Sequence, residues 1–208
     1  MFAGKSTELT RRIRRFKAAM QRCLVVKYAN DVRYSADCMT THDQTKTPAT
    51  AVRRLAEADA LAADADVIGI DEGQFYEDLA ECCERWANAG KTVIVAALDG
   101  TLQRKAFNRI LELIPLAEEV TKLNAVCSFC QNDAAFTTRL GDETELEVIG
   151  GAEKYVATCR SCFNRVNAPA CPVVRTGPRG GKKVAAPAPV SPGVAALSLS
   201  DGDMHTSP

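Results

Sequence analysis

Three sets of residues in this chain have types and spacings that could do chemistry. The first is Gly4-Lys5-Ser6, which opens an amphipathic segment. It is the second half of the phosphate-cradling pattern G-x-x-x-x-G-K-[ST]. In that turn the backbone N–H groups face phosphate oxygens, the lysine reaches the β- and γ-phosphates, and the hydroxyl binds magnesium. Three residues alone are a weak signal. The first glycine of the pattern and the apolar strand that feeds it do not precede Gly4, so the expectation is a chain that starts partway through its phosphate loop.

The second set is more specific. Val67-Ile68-Gly69-Ile70-Asp71-Glu72-Gly73-Gln74-Phe75 is an apolar run ending in paired carboxylates. A phosphate loop needs such an aspartate beside its magnesium, and Asp71 fits that part. Glu72 then stands where a general base could face an acceptor hydroxyl beside the γ-phosphate. The plainer alternative is that Glu72 only favours the start of the next helix.

The third set is Cys127-Ser128-Phe129-Cys130 with Cys159-Arg160-Ser161-Cys162. Two Cys-x-x-Cys turns have the spacing of a four-thiolate zinc site, with a longer insertion between the pairs than compact fingers carry. With no histidine or open position in the pattern, the expected role is structural. A redox pair lacks a thioredoxin-like context. Of the nine cysteines, Cys23, Cys38, Cys82, Cys83 and Cys171 read as reduced thiols.

The elements that must hold these residues follow from periodicity. Ser6 to Met20 repeats Leu9, Ile13, Phe16 and Met20 at helical spacing, with its arginines on a solvated face. Cys23 to Tyr28, Asp66 to Asp71 and Thr92 to Leu98 read as buried strands. Val52 to Ala63, Leu79 to Ala89 (stopping at Gly90) and Phe107 to Leu113 read as helices. Asn30 to Thr47 is polar and reads as a long loop. Apolar strands alternating with helices predict an α/β fold with a sheet covered on both faces. From about Asn167 the composition turns to Pro, Ala, Gly and Ser without aromatics, which predicts a disordered tail.

The bulk numbers exclude some classes. Lysine plus arginine and aspartate plus glutamate each number 26 in 208 residues. That balance offers no global field to attract nucleic acid or anionic membrane. No apolar run approaches the roughly 20 residues of a membrane span, and the start lacks the apolar core of a signal peptide. The expectation is a soluble, cytoplasmic protein with no membrane or nucleic-acid partner.

Taken in order, Met1-Phe2-Ala3-Gly4-Lys5-Ser6-Thr7-Glu8-Leu9, Lys27-Tyr28-Ala29 with Asp31-Val32-Arg33-Tyr34, Ile70 to Phe75, Ala97-Leu98-Asp99-Gly100-Thr101 and the four cysteines closely resemble the cytosolic-type thymidine kinases. The resemblance runs from Met1 to about Arg165. It implies a RecA-like P-loop parallel sheet, here without its first strand, and a small zinc-binding lasso domain. The division would be a kinase domain over 1–123, the lasso over 124–166 and a tail over 167–208.

It further implies a homotetramer that moves the γ-phosphate of ATP to the 5′-hydroxyl of thymidine or deoxyuridine. Magnesium and a structural zinc would be required, and the product would serve nucleotide salvage and DNA synthesis. Met1, Phe2, Ala3, Gly4, Lys5 and Ser6, then Asp31, Val32 and Arg33, then Asp71, Glu72, Gly73 and Gln74 match the family's ATP-contacting segments, with Glu72 as the base. Met1, Phe75, Leu98, Leu102 and Phe107 match residues around the thymine. Thr137, Leu146, Glu147, Val148, Ile149, Gly150 and Tyr155 match the lid over the nucleoside. Leu102 stands where the family commonly has phenylalanine, and Ala106 and Asn108 stand where it has proline and glycine. Two rival readings stay open at this point: a non-catalytic nucleotide-binding relative, and a zinc-ribbon module for nucleic acid.

Overall fold

The computed structural model describes residues 1–30, 38–40, 46–141, 151 and 153–167. Helix α1 (Lys5–Ala18) buries Leu9, Thr10 and Ile13 and leaves Arg11, Arg14 and Arg15 exposed, as the apolar spacing requires. Strand β1 (Cys23–Tyr28) follows. Strands β2 (Cys38–Thr40) and β3 (Lys46–Pro48) form an antiparallel pair, Cys38 opposite Pro48. Apart from Pro48, they fall inside the stretch expected as loop. Pairing of this kind draws on backbone N–H and C=O groups, which leave no mark on the apolar period.

The alanine-rich run from Val52 to Ala63, expected as one helix, is divided. Val52 ends strand β4 (Thr50–Val52) and pairs with Tyr28. Leu55–Ala58 is a 3₁₀ turn, and only α2 (Asp59–Ala63) is α-helical. The Asp78 carboxylate accepts the Leu55 and Ala56 N–H groups at 3.1 Å each, so the turn starts after the strand has been claimed by the sheet.

Strand β5 (Val67–Ile70), helix α3 (Leu79–Asn88) and strand β6 (Thr92–Val95) lie where expected. Gly90 ends α3 at φ 79. The expected helix at Phe107 to Leu113 is instead a 3₁₀ turn over Ile110–Leu116 that contains Pro115. Asn108 takes φ 46, which interrupts any helix passing through it. The second cysteine-bearing half holds β7 (Ala125–Val126), β8 (Asp133–Ala134), β9 (Phe136–Arg139), β10 (Tyr155–Thr158) and α4 (Arg160–Val166). β7 pairs with β8 and β9 with β10, both antiparallel.

Strands β4, β1, β5 and β6 form one parallel sheet in that order, with Val26 opposite Ile70 and Ile70 opposite Val95. Side chains alternate faces along each strand. Val25, Val67 and Ala96 pack with Leu9 and Ile13 of α1. Val26, Ile68 and Ile70 pack on the other face with Leu55, Leu79 and Trp86. Leu9 and Ile13 are each 1% exposed, and such burial stabilises by roughly 1.5–3 kcal/mol per side chain. Trp86 is tied down by its indole N–H, which donates to Asp59 at 2.9 Å. Among the described residues no helix is long and apolar enough to cross a membrane.

Gly69 faces α1 from β5. A Cβ there would lie 2.9 Å from Ile13 Cδ1 and 3.3 Å from Leu9 Cδ1. Both partners are enclosed, so Gly69→Ala forces the helix off the sheet or the side chains off their rotamers. The expected cost is about 1–3 kcal/mol, seen as a drop of roughly 3–10 °C in Tm by thermal melting. An unchanged Tm would show that α1 rides more loosely on the sheet.

Candidate active site and metal centre

The N-terminus of α1 points its first-turn N–H groups out of the helix, where no intrahelical acceptor exists. Gly4 caps it in the left-handed region at φ 75, with no side-chain cap. Phe2 is also left-handed at φ 63. Such turns make anion-binding concavities, and the helix dipole adds to them. Thr10 Oγ1 donates to the Ser6 carbonyl at 2.8 Å and steadies the first turn.

Ser6 and Asp71 meet although 65 residues separate them. The Ser6 hydroxyl lies 3.0 and 3.1 Å from the two Asp71 carboxylate oxygens. Asp71 follows β5 directly, and its N–H donates to Val26 O at 2.9 Å, so the sheet register sets its position. Burial, then the charge of Glu72, pushes the Asp71 carboxyl up, to about 7. A dication beside it reverses that shift, and a hydroxyl plus a carboxylate is the oxygen donor set magnesium takes. The residues present therefore fit the ion.

Glu72 follows in the left-handed region, φ 52 and ψ 41, unusual for a residue with a Cβ and a form of backbone strain that clusters at working sites. Gly73 lies tight against β6: a Cβ on it would be 2.7 Å from Val95 Cγ1, and its N–H donates to Ala96 O at 3.0 Å. Gln74 is 1% exposed. Its Nε2 donates to Glu72 Oε2 at 2.6 Å, and its Oε1 accepts the Leu98 N–H at 2.9 Å.

An aromatic wall stands beside the acid pair. Phe75 stacks on Tyr28 with ring centres 5.1 Å apart and meets Phe107 edge-on at 5.6 Å. Leu98 packs against the same core, and Leu102 is half-buried. The Met1 amino group donates to Thr137 Oγ1 at 2.7 Å and lies within electrostatic reach of Lys5 and Glu72. That hydrogen bond ties β9 to the start of the chain. Tyr155 on β10 is buried, opposite Arg139. The Arg139 guanidinium sits 5.5 Å from the Tyr155 ring centre.

The structure thus gathers Met1, Ser6, Asp71, Glu72, Phe75, Leu98 and Phe107 from separate stretches of chain. Asp31, Val32 and Arg33, and Leu146, Glu147, Val148, Ile149 and Gly150, lie outside the described residues. Sequence reasoning did not single out Tyr28 as a site residue. Its signal was its place at the carboxyl end of a parallel strand, where α/β sheets bind ligands. Arg104 was also missed. It lies over Phe163 at 4.7 Å and Phe136 at 5.7 Å, tying the loop after Leu102 to α4 and β9 by cation–π contact.

The four cysteines converge. The Sγ atoms of Cys127, Cys130, Cys159 and Cys162 all lie within 4.8 Å of one another, with Cys130 and Cys159 at 3.5 Å. Tetrahedral zinc with bonds of ~2.3 Å places its sulfurs about 3.8 Å apart, so the arrangement fits. Cys159 caps α4, and its sulfur accepts the Cys162 N–H at 3.5 Å. Arg165 donates to Cys162 Sγ at 3.6 Å. Burial, then the neighbouring sulfurs, pushes the Cys162 thiol well up; a bound cation is what allows such a cluster to ionise together. Among the described residues no histidine or carboxylate joins the cluster, so zinc held by these four sulfurs would be four-coordinate and closed, the structural form.

The comparisons with known proteins agree with this geometry. The family model described as thymidine kinase matches residues 1–163. The thymidine kinase of Rabbit fibroma virus is 57% identical over 163 residues, covering 78% of this chain and 91% of the relative. The cytosolic thymidine kinases of Gallus gallus and Homo sapiens are each 58% identical over 163 residues, covering 78% of this chain and 73% and 69% of the relatives. With a phosphate-binding helix start, a hydroxyl–carboxylate pair and a four-sulfur cluster in one chain, and this level of identity, the chain belongs to the thymidine kinase family.

Proposed function

We propose that this chain transfers the γ-phosphate of ATP to the 5′-hydroxyl of thymidine or deoxyuridine, with magnesium. The observation that carries the reading is the Ser6 hydroxyl on the Asp71 carboxylate at a helix N-terminus, with Glu72 next in line. Ser6 and Asp71 would hold magnesium, which supplies charge neutralisation on the phosphate oxygens when bound. The amides opening α1 and Lys5 bind and orient the ATP phosphates. Glu72 takes the proton from the 5′-hydroxyl as it attacks. The wall of Phe75 and Phe107, with Leu98 and Leu102, supports a flat base beside them. Thr137 and Tyr155 serve the lid over the nucleoside.

Residues 1–123 serve as the kinase domain and 124–166 as the zinc-bearing lasso. Subunit contacts are supported by exposed apolar side chains at Leu111, Ile114, Leu116 and Val120, a concentration that marks an interaction surface; a homotetramer is the assembly proposed. Relatives named cytosolic support a cytoplasmic location. The test is nucleoside phosphorylation with labelled ATP and magnesium, following thymidine monophosphate. Formation of that product is expected. ATP binding or hydrolysis with neither thymidine nor deoxyuridine phosphorylated would sink the reading.

A further inference from the structure

The amide of Gln74 has an orientation set by its neighbours. A backbone N–H can only donate, so the atom that accepts from Leu98 is the oxygen and the other end is the NH₂. That NH₂ meets Glu72 Oε2. Both ends of a side chain that is 1% exposed are therefore committed inside the protein. Turning it toward a ligand would leave the Leu98 N–H or the carboxylate without this partner.

A third residue completes the arrangement. Asn108, 34 positions further on, donates from Nδ2 to the Gln74 carbonyl at 2.9 Å. It does so from φ 46, a left-handed backbone that asparagine adopts more readily than other side chains. Glu72 is itself left-handed, and such a conformation persists only where the surroundings over-determine it. The following Gly73 is anchored to Ala96, just after β6, and Gln74 is anchored from both the side chain and the main chain.

We propose that Gln74 and Asn108 are positioning residues for the Glu72 carboxylate. Gln74 fixes the carboxylate, and Asn108 fixes the backbone of Gln74, so the base stands in place before the nucleoside arrives. The proposal rests on the phosphotransfer reading above and adds to it Asn108, which need not touch either substrate, and a base-holding role for the side chain of Gln74. A misplaced base loses rate without losing binding, since orientation is realised in the reacting complex.

The test compares the wild-type chain with Asn108→Gly, which suits the left-handed backbone but lacks the donor, and Gln74→Met, which keeps the length but not the amide. Single-turnover rates and KM are measured for thymidine and ATP with magnesium. The expected result is a rate lowered about tenfold in both variants, with both KM values of Asn108→Gly and the thymidine KM of Gln74→Met within about twofold of wild type. Asn108→Gly should melt within about 5 °C of wild type, so it reports even where Gln74→Met fails to fold. A rate for Asn108→Gly within twofold of wild type, or a raised KM at unchanged rate, would overturn the proposal while leaving the phosphotransfer reading standing. A wild-type chain that phosphorylates no nucleoside would remove both.

Discussion

Glu72→Gln is expected to lower the rate of nucleoside phosphorylation by about 10²–10⁴-fold, the usual contribution of a positioned general base. The substitution isolates the chemistry. A glutamine at 72 keeps the size of the side chain and still offers an oxygen to Gln74 Nε2, which the wild-type carboxylate accepts at 2.6 Å. The left-handed backbone at φ 52 is no harder for glutamine than for glutamate. Ser6 and Asp71 are untouched, so the ATP and magnesium side should bind as before. Steady-state and single-turnover kinetics with thymidine check this: KM for ATP should stay within about threefold while the rate collapses. Turnover close to wild type would remove Glu72 as the base.

Removing zinc is expected to have the second largest effect. Among the described residues, the apolar cluster around the cysteines is small: Ala125, Cys127, Ala134, Ala157 and Cys162, with Phe2 and Ala3 packed against it. Alanines bury little area, so this part lacks the apolar driving force that Leu, Ile and Trp give the parallel sheet. A four-thiolate zinc contributes on the order of 10–16 kcal/mol in small zinc folds, far more than those alanines. Chelation, or Cys162→Ser, should therefore release the metal and loosen β9, β10 and α4.

The damage should reach the nucleoside side before the phosphate side. Arg104 joins Phe136 and Phe163 to the loop beyond Leu102, and Thr137 contacts Met1. By contrast, Ser6 and Asp71 are held by α1 and β5. Thymidine KM should rise at least tenfold, and proteolysis should cut first within 124–166. The same release should follow a fall in pH, because thiolate ligands take up protons as metal leaves. Metal analysis with limited proteolysis checks it. A zinc-free protein with unchanged KM and unchanged protease resistance would contradict the role.

Much of this was legible from residue types because the physics was local. The strand of Ile68, Gly69 and Ile70 ending in Asp71 announces a buried parallel strand and a polar end, and the structure places both. Two Cys-x-x-Cys turns announce a metal, and the four sulfurs do meet. What stayed hidden depended on tertiary context. The alanine-rich stretch after Val52 has helical composition, yet the sheet takes Val52 and Asp78 caps the turn that follows. The β2–β3 pairing is a backbone matter with no apolar signature. Asn108 reads only as a departure from glycine until its amide is seen on the Gln74 carbonyl.

The single tryptophan of the chain, Trp86, gives the two halves of this molecule different optical signatures. Its indole is 4% exposed against the parallel sheet and bonded to Asp59, while the cysteine-bearing half contains none. Tryptophan emission, excited to the red of tyrosine absorption, therefore watches the sheet core alone. Metal loss should pass almost unseen in fluorescence and appear in protease sensitivity, whereas melting of the core should shift the emission to the red. The chain carries its own unlabelled reporter for telling a released metal centre from an unfolded enzyme.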